Sequence, residues 1–225
     1  MSELLLKAIP LFADLDDEIL ETMERSLTVK RYKKNNLIIF EDDRGLNLFI
    51  ISKGRVKISR ISEEGGEVIL AIIGEGEFFG ELSVIDGLSR SATVTSLDDI
   101  ELLVMKREEF LSALGKYPQI SVYLLRELAE RIRKSDAHIK SLSLRNAKGR
   151  VAATLIRLAE DIGKVKDGKV MIPELPLQRD MANIAGTSRE TISRVIASFE
   201  KDGFCYKKES ALVFDDFEGF KREFA

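Results

Sequence analysis

The chain has 225 residues, 44% hydrophobic and 32% charged, with a formal net charge of −3. That length suits two domains, and the balance argues against wholesale disorder. One cysteine (Cys205) and one histidine (His138) exclude an internal disulfide, an iron–sulfur cluster, a structural zinc site and any multi-histidine centre, so no metal is expected.

The start, Met1-Ser2-Glu3-Leu4-Leu5-Leu6-Lys7, is acidic, and its apolar stretch is too short for a signal peptide. No apolar run approaches the ~20 residues of a membrane span. The expectation is a cytoplasmic protein with no membrane partner. Residues 3–8 and 15–26 read as short helices around a Pro10-Leu11-Phe12 bend, with Asp14 or Asp16 as an N-cap. From Thr28 to about Met105 the texture turns to strands. Residues 37–40, 48–51, 56–59, 68–71 and 100–104 are short β-branched or aromatic runs, separated by turn signals such as Asp42-Asp43-Arg44-Gly45 and Glu64-Gly65-Gly66. Many short strands at close spacing suggest a small sandwich or jelly roll.

A short helix is expected at 107–114 and a long one from about Ser121 to Ser143. On the long helix Leu125, Leu128, Ile132, Ser135, Ile139 and Leu142 form a 3-4-3-4-3 seam with charged flanks. A helix of ~23 residues is ~35 Å long, more than one small barrel covers. The narrow seam favours a homodimer coiled coil over a helix packed on its own barrel. The register breaks around Asn146–Arg150. Beyond it lie a helix at 150–163, a short strand at 170–172, helices near 178–185 and 188–201, a hairpin at 206–214 and a tail whose Phe217, Phe220 and Phe224 share one face.

Two stretches carry chemistry. Phe79-Gly80-Glu81-Leu82 is followed by Arg90-Ser91-Ala92. An arginine supplies a fixed-charge fork for phosphate oxygens, a glycine lets the backbone approach, and a glutamate accepts from a ribose hydroxyl. The second stretch, Leu177 to Gly203, reads as a helix with Met181, Ile184 and Ala185 inward, a tight turn at Gly186, and a second helix capped by Thr187 or Ser188. Ile192, Val195, Ile196 and Phe199 form that helix's inner stripe. Gln178, Ser188, Arg189, Glu190, Ser193 and Arg194 are left for a major-groove surface, where arginine pairs with guanine and glutamate with cytosine. Residues 146–225 carry 14 basic and 13 acidic side chains, so DNA affinity must come from a few placed cations rather than a general polyanion grip.

The first stretch resembles the phosphate-binding cassette of the catabolite activator and protein-kinase regulatory families. The second resembles the DNA-reading signature of the cyclic AMP receptor/fumarate–nitrate regulator (CRP/FNR) family. The resemblance implies an α+β chain: an N-terminal double-stranded β-helix (jelly-roll) cyclic-nucleotide-binding domain over 1–116, a dimerisation helix over 117–145 and a C-terminal winged helix-turn-helix over 146–225. It implies that Glu81 takes the 2′-hydroxyl and Arg90 the phosphate, with Gly80 and the backbone around Leu82, Ser91 and Ala92 holding the anion, and that Ser135 and Asp136 reach the purine. Cyclic AMP is the expected effector, and Asp136, where the family often has serine, makes cyclic GMP the alternative. Arg189, Glu190 and Arg194 match the arrangement that reads TGTGA-like half-sites of a palindrome. The implied partners are double-stranded DNA, a second copy of the chain through 117–145, and RNA polymerase. No nucleophile–base pair, metal cluster or triphosphate loop supports an enzyme. Alternative readings are a sensor carrying haem at His138 and a regulator with no ligand. Cys205 reads as a small core residue.

Overall fold

Leu48-Phe49-Ile50-Ile51 is a continuous apolar run because both faces of its strand are buried. The computed structural model describes residues 5–224. A 3-10 turn (Leu5–Ala8) and α1 (Asp17–Glu24) precede β1 (Thr28–Tyr32), β2 (Leu37–Ile39), β3 (Asn47–Lys53), β4 (Val56–Ile61), β5 (Glu67–Ile73) and β6 (Phe78–Phe79). Then come α2 (Glu81–Asp86), β7 (Thr93–Ser96), β8 (Ile100–Lys106), α3 (Arg107–Lys116) and the long α4 (Pro118–Leu144). The remainder is α5 (Ala147–Ile162), β9 (Lys164–Lys166), β10 (Lys169–Ile172), α6 (Gln178–Ala185), α7 (Arg189–Lys201), β11 (Tyr206–Lys208), β12 (Ala211–Phe214) and α8 (Phe217–Phe224). Two units pack internally: residues up to Glu63 with Leu70–Arg133, and Glu64–Ile69 with the chain from Lys134 onward.

In the first unit the antiparallel sheets β1-β8-β3-β6 and β2-β7-β4-β5 form the jelly roll. Successive side chains of a strand point to opposite faces. Phe49 and Ile51 of β3 therefore join Leu102 and Val104 of β8 in a core with Ile39, Val56, Phe79 and Val94. Leu48 and Ile50 point the other way, with Leu103 and Met105, into a second core that holds Leu6, Phe12, Leu20, Phe110, Ile120 and Leu124. The opening residues of α4 thus pack on their own barrel. Of the seam positions Leu128 also packs against that core, whereas Leu125, Ile132 and Ile139 are 65%, 62% and 61% exposed.

The C-terminal unit packs α5 (Val151, Leu155, Leu158), α6 (Met181, Ile184) and α7 (Ile192, Val195, Ile196, Phe199) into one buried core beside the sheet β11-β12-β10-β9. The tail phenylalanines dock there, with the Phe220 ring 5.2 Å from Phe199 and edge-on to it. Asn146 caps α5, its side chain accepting from the Gly149 N–H at 2.9 Å. From α5, Arg150 donates to the carbonyls of Ala185 (2.9 Å), Gly186 (3.1 Å) and Arg145 (3.1 Å). Gly186 is left-handed (φ 58°), and a Cβ there would lie 2.9 Å from Leu142 Cδ2 of α4.

Several expectations need correction. The short helix α2 (Glu81–Asp86) was not anticipated. Strands β1, β6, β7 and β9 were not anticipated. Helix α4 begins at Pro118, three residues early, because Tyr117 closes α3 and Ile120 has a core to enter. Helix α5 begins at Ala147, so the break after α4 is only Arg145-Asn146. The first expected helix is a 3-10 turn, its residues 3–4 lying outside the described residues. Asp16 sits at the N-cap of α1 without a side-chain cap bond. Ser188, not Thr187, caps α7.

Candidate functional site

The cassette is assembled where β6 ends. Gly80 is left-handed (φ 81°) and opens α2, whose first N–H groups have no intrahelical acceptor. Glu81 is the first residue of that helix. Arg90 arrives from the other side, held by backbone bonds from Arg90 N–H to Asp43 O and from Asp42 N–H to Arg90 O, both 2.9 Å. Glu81 and Arg90 are each 5% exposed. The Arg90 guanidinium donates to Gly80 O (2.9 Å), Ser83 Oγ (2.7 Å) and Asn47 O (2.9 Å), and it lies over the Phe49 ring. All of these acceptors are neutral. Burial lowers its pKa, with the Glu81 charge opposing, yet an arginine keeps its proton. A desolvated cation with only neutral acceptors favours an anion beside it. A Cβ on Gly45 would overlap the Arg90 side chain, so this turn glycine is also the arginine's bed. Leu82 and Ser91 are exposed, and Ala92 is buried.

Glu81 is paired with Arg131 of α4: Nη1 donates to Oε1 at 3.0 Å, and Nη2 donates to Phe78 O at 2.9 Å. The guanidinium also lies over the Phe78 ring. The Glu81 Oε2 atom has no hydrogen-bond donor among the described residues, so the carboxylate can accept another bond. Sequence reasoning left Arg131 among the charged flanks of the seam, where Glu127 four residues earlier gives it an ordinary helix-surface partner (3.1 Å). Its signal is the stripe Ile120, Leu124, Glu127, Arg131, which faces the barrel at helical spacing. Ser135, one turn beyond, and Asp136 are exposed on α4.

The second site is the face of α7. The Ser188 hydroxyl accepts from Thr191 N–H at 3.2 Å, and Gly186 turns the chain between the helices. Gln178, Arg189, Glu190, Ser193 and Arg194 together line a shallow depression of about 600 Å³, and all five are exposed. Glu190's own N–H and the Ser188 hydroxyl hold its carboxyl below the usual carboxylate range, which keeps it an acceptor. Arg194 reaches Thr191 Oγ1 (3.4 Å), leaving its fork exposed on the same face as Arg189.

Cys205 is buried, its thiol pushed up to about 12 by burial. Such a thiol is inert. His138 lines a cavity of about 210 Å³. Pockets for drug-sized ligands run to ~300–1,000 Å³, so this one is small by that scale.

Known proteins share both halves of this architecture. The cyclic nucleotide-binding domain family matches residues 29–117, and the Crp-like helix-turn-helix domain family matches 149–223. The chain is 32% identical over 198 residues to the cyclic AMP receptor protein of Thermus thermophilus, covering 88% of each chain. It is 29% identical over 222 residues to the CRP-like cAMP-activated global transcriptional regulator of Mycobacterium tuberculosis, covering 99% of each. The solved structure of FixK2 from Bradyrhizobium japonicum superposes with a TM-score of 0.77 at 22% identity, over 88% of this chain and 98% of that one. With a cyclic nucleotide-binding jelly roll, a winged helix-turn-helix and relatives matched along nearly their whole length, the chain belongs to the CRP/FNR family of ligand-responsive, DNA-binding transcription regulators and is not an enzyme.

Proposed function

We propose that this regulator is a cytoplasmic homodimer gated by cyclic AMP. Its functional division is a ligand domain at 1–116, a dimer helix at 117–145 and a DNA reader at 146–225. The carrying observation is the buried Arg90 guanidinium with only neutral acceptors beside Glu81. In this reading the cyclic phosphate lies on Arg90 and on the backbone about Gly80, Leu82, Ser91 and Ala92. The 2′-hydroxyl donates to Glu81, which keeps its Arg131 bond, so ligand and long helix share one carboxylate. Ser135 and Asp136 meet the purine. Adenine is favoured by the two relatives whose names state cyclic AMP, and guanine is the rival that Asp136 introduces.

The exposed seam of α4 pairs with its copy, and ligand shifts the population between two packings of that pair. One packing sets the recognition helices ~34 Å apart, one DNA turn, so that Gln178, Ser188, Arg189, Glu190, Ser193 and Arg194 meet palindromic TGTGA-like half-sites. RNA polymerase is the onward partner of such a complex. The test is a titration with cyclic AMP and cyclic GMP of the native chain, Glu81→Gln and Arg90→Leu, with operator affinity measured at fixed salt. Each variant should weaken binding tenfold or more, the scale of one charged hydrogen bond (about 1.5–3 kcal/mol). Operator affinity unchanged by saturating cyclic AMP would overturn the gating.

A further inference from the structure

The His138 cavity lies entirely within the C-terminal unit. The second half of α4 supplies Lys134, Ala137, His138, Ser141, Leu142 and Arg145. Opposite, α5 supplies Ala153, Ile156, Arg157 and Glu160 among others, and Ile184 and Ala185 of α6 close it. Most of its charges are already committed. Lys134 pairs with Asp161 at 2.8 Å, and Glu160 with Lys221 at 2.8 Å. Arg150 is spent on three carbonyls, and Arg145 donates to Phe224 O.

Two groups are not committed. The Nε2 atom of His138 is fully buried with no hydrogen-bond partner. The Arg157 guanidinium makes no hydrogen bond or ion pair among the described residues. Asp161 is near enough to act on it electrostatically, but that carboxylate is held by Lys134. His138 and Arg157 line the same cavity, and burial and then the Arg157 charge depress the imidazole's pKa. An uncommitted permanent cation therefore borders a hole otherwise walled by Ala137, Leu142, Ala153, Ile156 and Ile184, with His138 beside it.

From this arrangement we infer a second small-molecule site: a cavity between α4 and α5 that takes a compact monocarboxylate with an apolar body. Its carboxylate pairs with the Arg157 guanidinium, and its ring or short chain lies against Leu142, Ile156 and Ile184, beside His138. A planar guanidinium matches a carboxylate's two oxygens. An apolar cavity of about 150 Å³ accepts benzene, so 210 Å³ suits one ring or a short chain plus the carboxylate. A doubly charged phosphate is a poorer fit, because only Arg157 is an uncommitted cation. The site is separate from the cassette at Glu81 and Arg90, and its occupant touches α4, α5 and α6 at once.

His138 is the only histidine in the chain, so its Cε1–H proton resonance is an unambiguous reporter. The full-length protein is titrated with benzoate and, separately, with benzamide, in the absence and presence of cyclic AMP. Benzoate should shift the His138 resonance saturably, with benzamide at least tenfold weaker, and Arg157→Gln should weaken benzoate by a similar factor. The shift should survive Arg90→Leu. The inference is overturned by equal affinity for the two probes, by no His138 shift, or by benzoate binding that persists in Arg157→Gln or is lost in Arg90→Leu. If Arg157→Gln does not fold, the acid–amide comparison on the native chain decides alone. Failure here leaves the cyclic nucleotide titration untouched, and failure there leaves this one.

Discussion

Removing the Arg131 guanidinium would leave the buried Glu81 carboxylate without an ion-pair partner among the described residues and Phe78 O without its donor. Breaking a buried pair from one side costs about 3–5 kcal/mol, and Arg131 is partly solvated, its side chain 27% exposed. Arg131→Leu should therefore lower the unfolding free energy by roughly 2–3 kcal/mol in urea titrations, and Arg131→Lys by less, since it keeps the charge and loses the fork. This residue also marks how far single side chains were legible. Glu81 and Arg90 stood out because a glycine, a glutamate and an arginine at set spacing serve one ligand. Arg131 did not, because its decisive partner lies fifty positions earlier while Glu127 supplied a sufficient local one. Gly45 was hidden in the same way: its turn explained it before the Arg90 side chain could.

Helices and strands were legible in proportion to how much of their pattern was apolar. The long α4 and the pair α6–α7 could be read at near their true bounds from helical spacing alone. Strand β1, Thr-Val-Lys-Arg-Tyr, escaped because it is an edge strand with most of its side chains in solvent, and charged edges are how sheets resist further pairing. The six residues of α2 escaped because Gly80 and Gly87 bracket them as turn signals, although both glycines cap the helix in left-handed conformations. At α7 the cap itself is testable. Ser188→Ala removes the hydroxyl that accepts from Thr191 N–H, which should cost about 1 kcal/mol of stability. It also removes one of the bonds holding the Glu190 carboxyl down. The Glu190 titration, followed by NMR, should move upward in the variant.

At the scale of the whole molecule, the open face of α4 is an apolar surface left unfinished among the described residues. Leu125, Ile132, Ile139 and Leu142 are exposed at the spacing of one seam, and burying such side chains is worth about 1.5–3 kcal/mol each. Ile132→Lys with Ile139→Lys should therefore convert a sedimenting dimer to monomer and weaken operator binding, while cyclic nucleotide still binds the barrel through Glu81 and Arg90. A variant that remains dimeric would place the self-association elsewhere. Leu142 belongs to this seam and is also the side chain against which Gly186 leaves no room for a Cβ. In the proposed dimer one methyl group is thus a feeler gauge with the partner helix on one side and the Gly186 turn on the other. In that proposal, a change of helix pairing that displaced Leu142 would press on the turn ahead of α7 without any separate linkage.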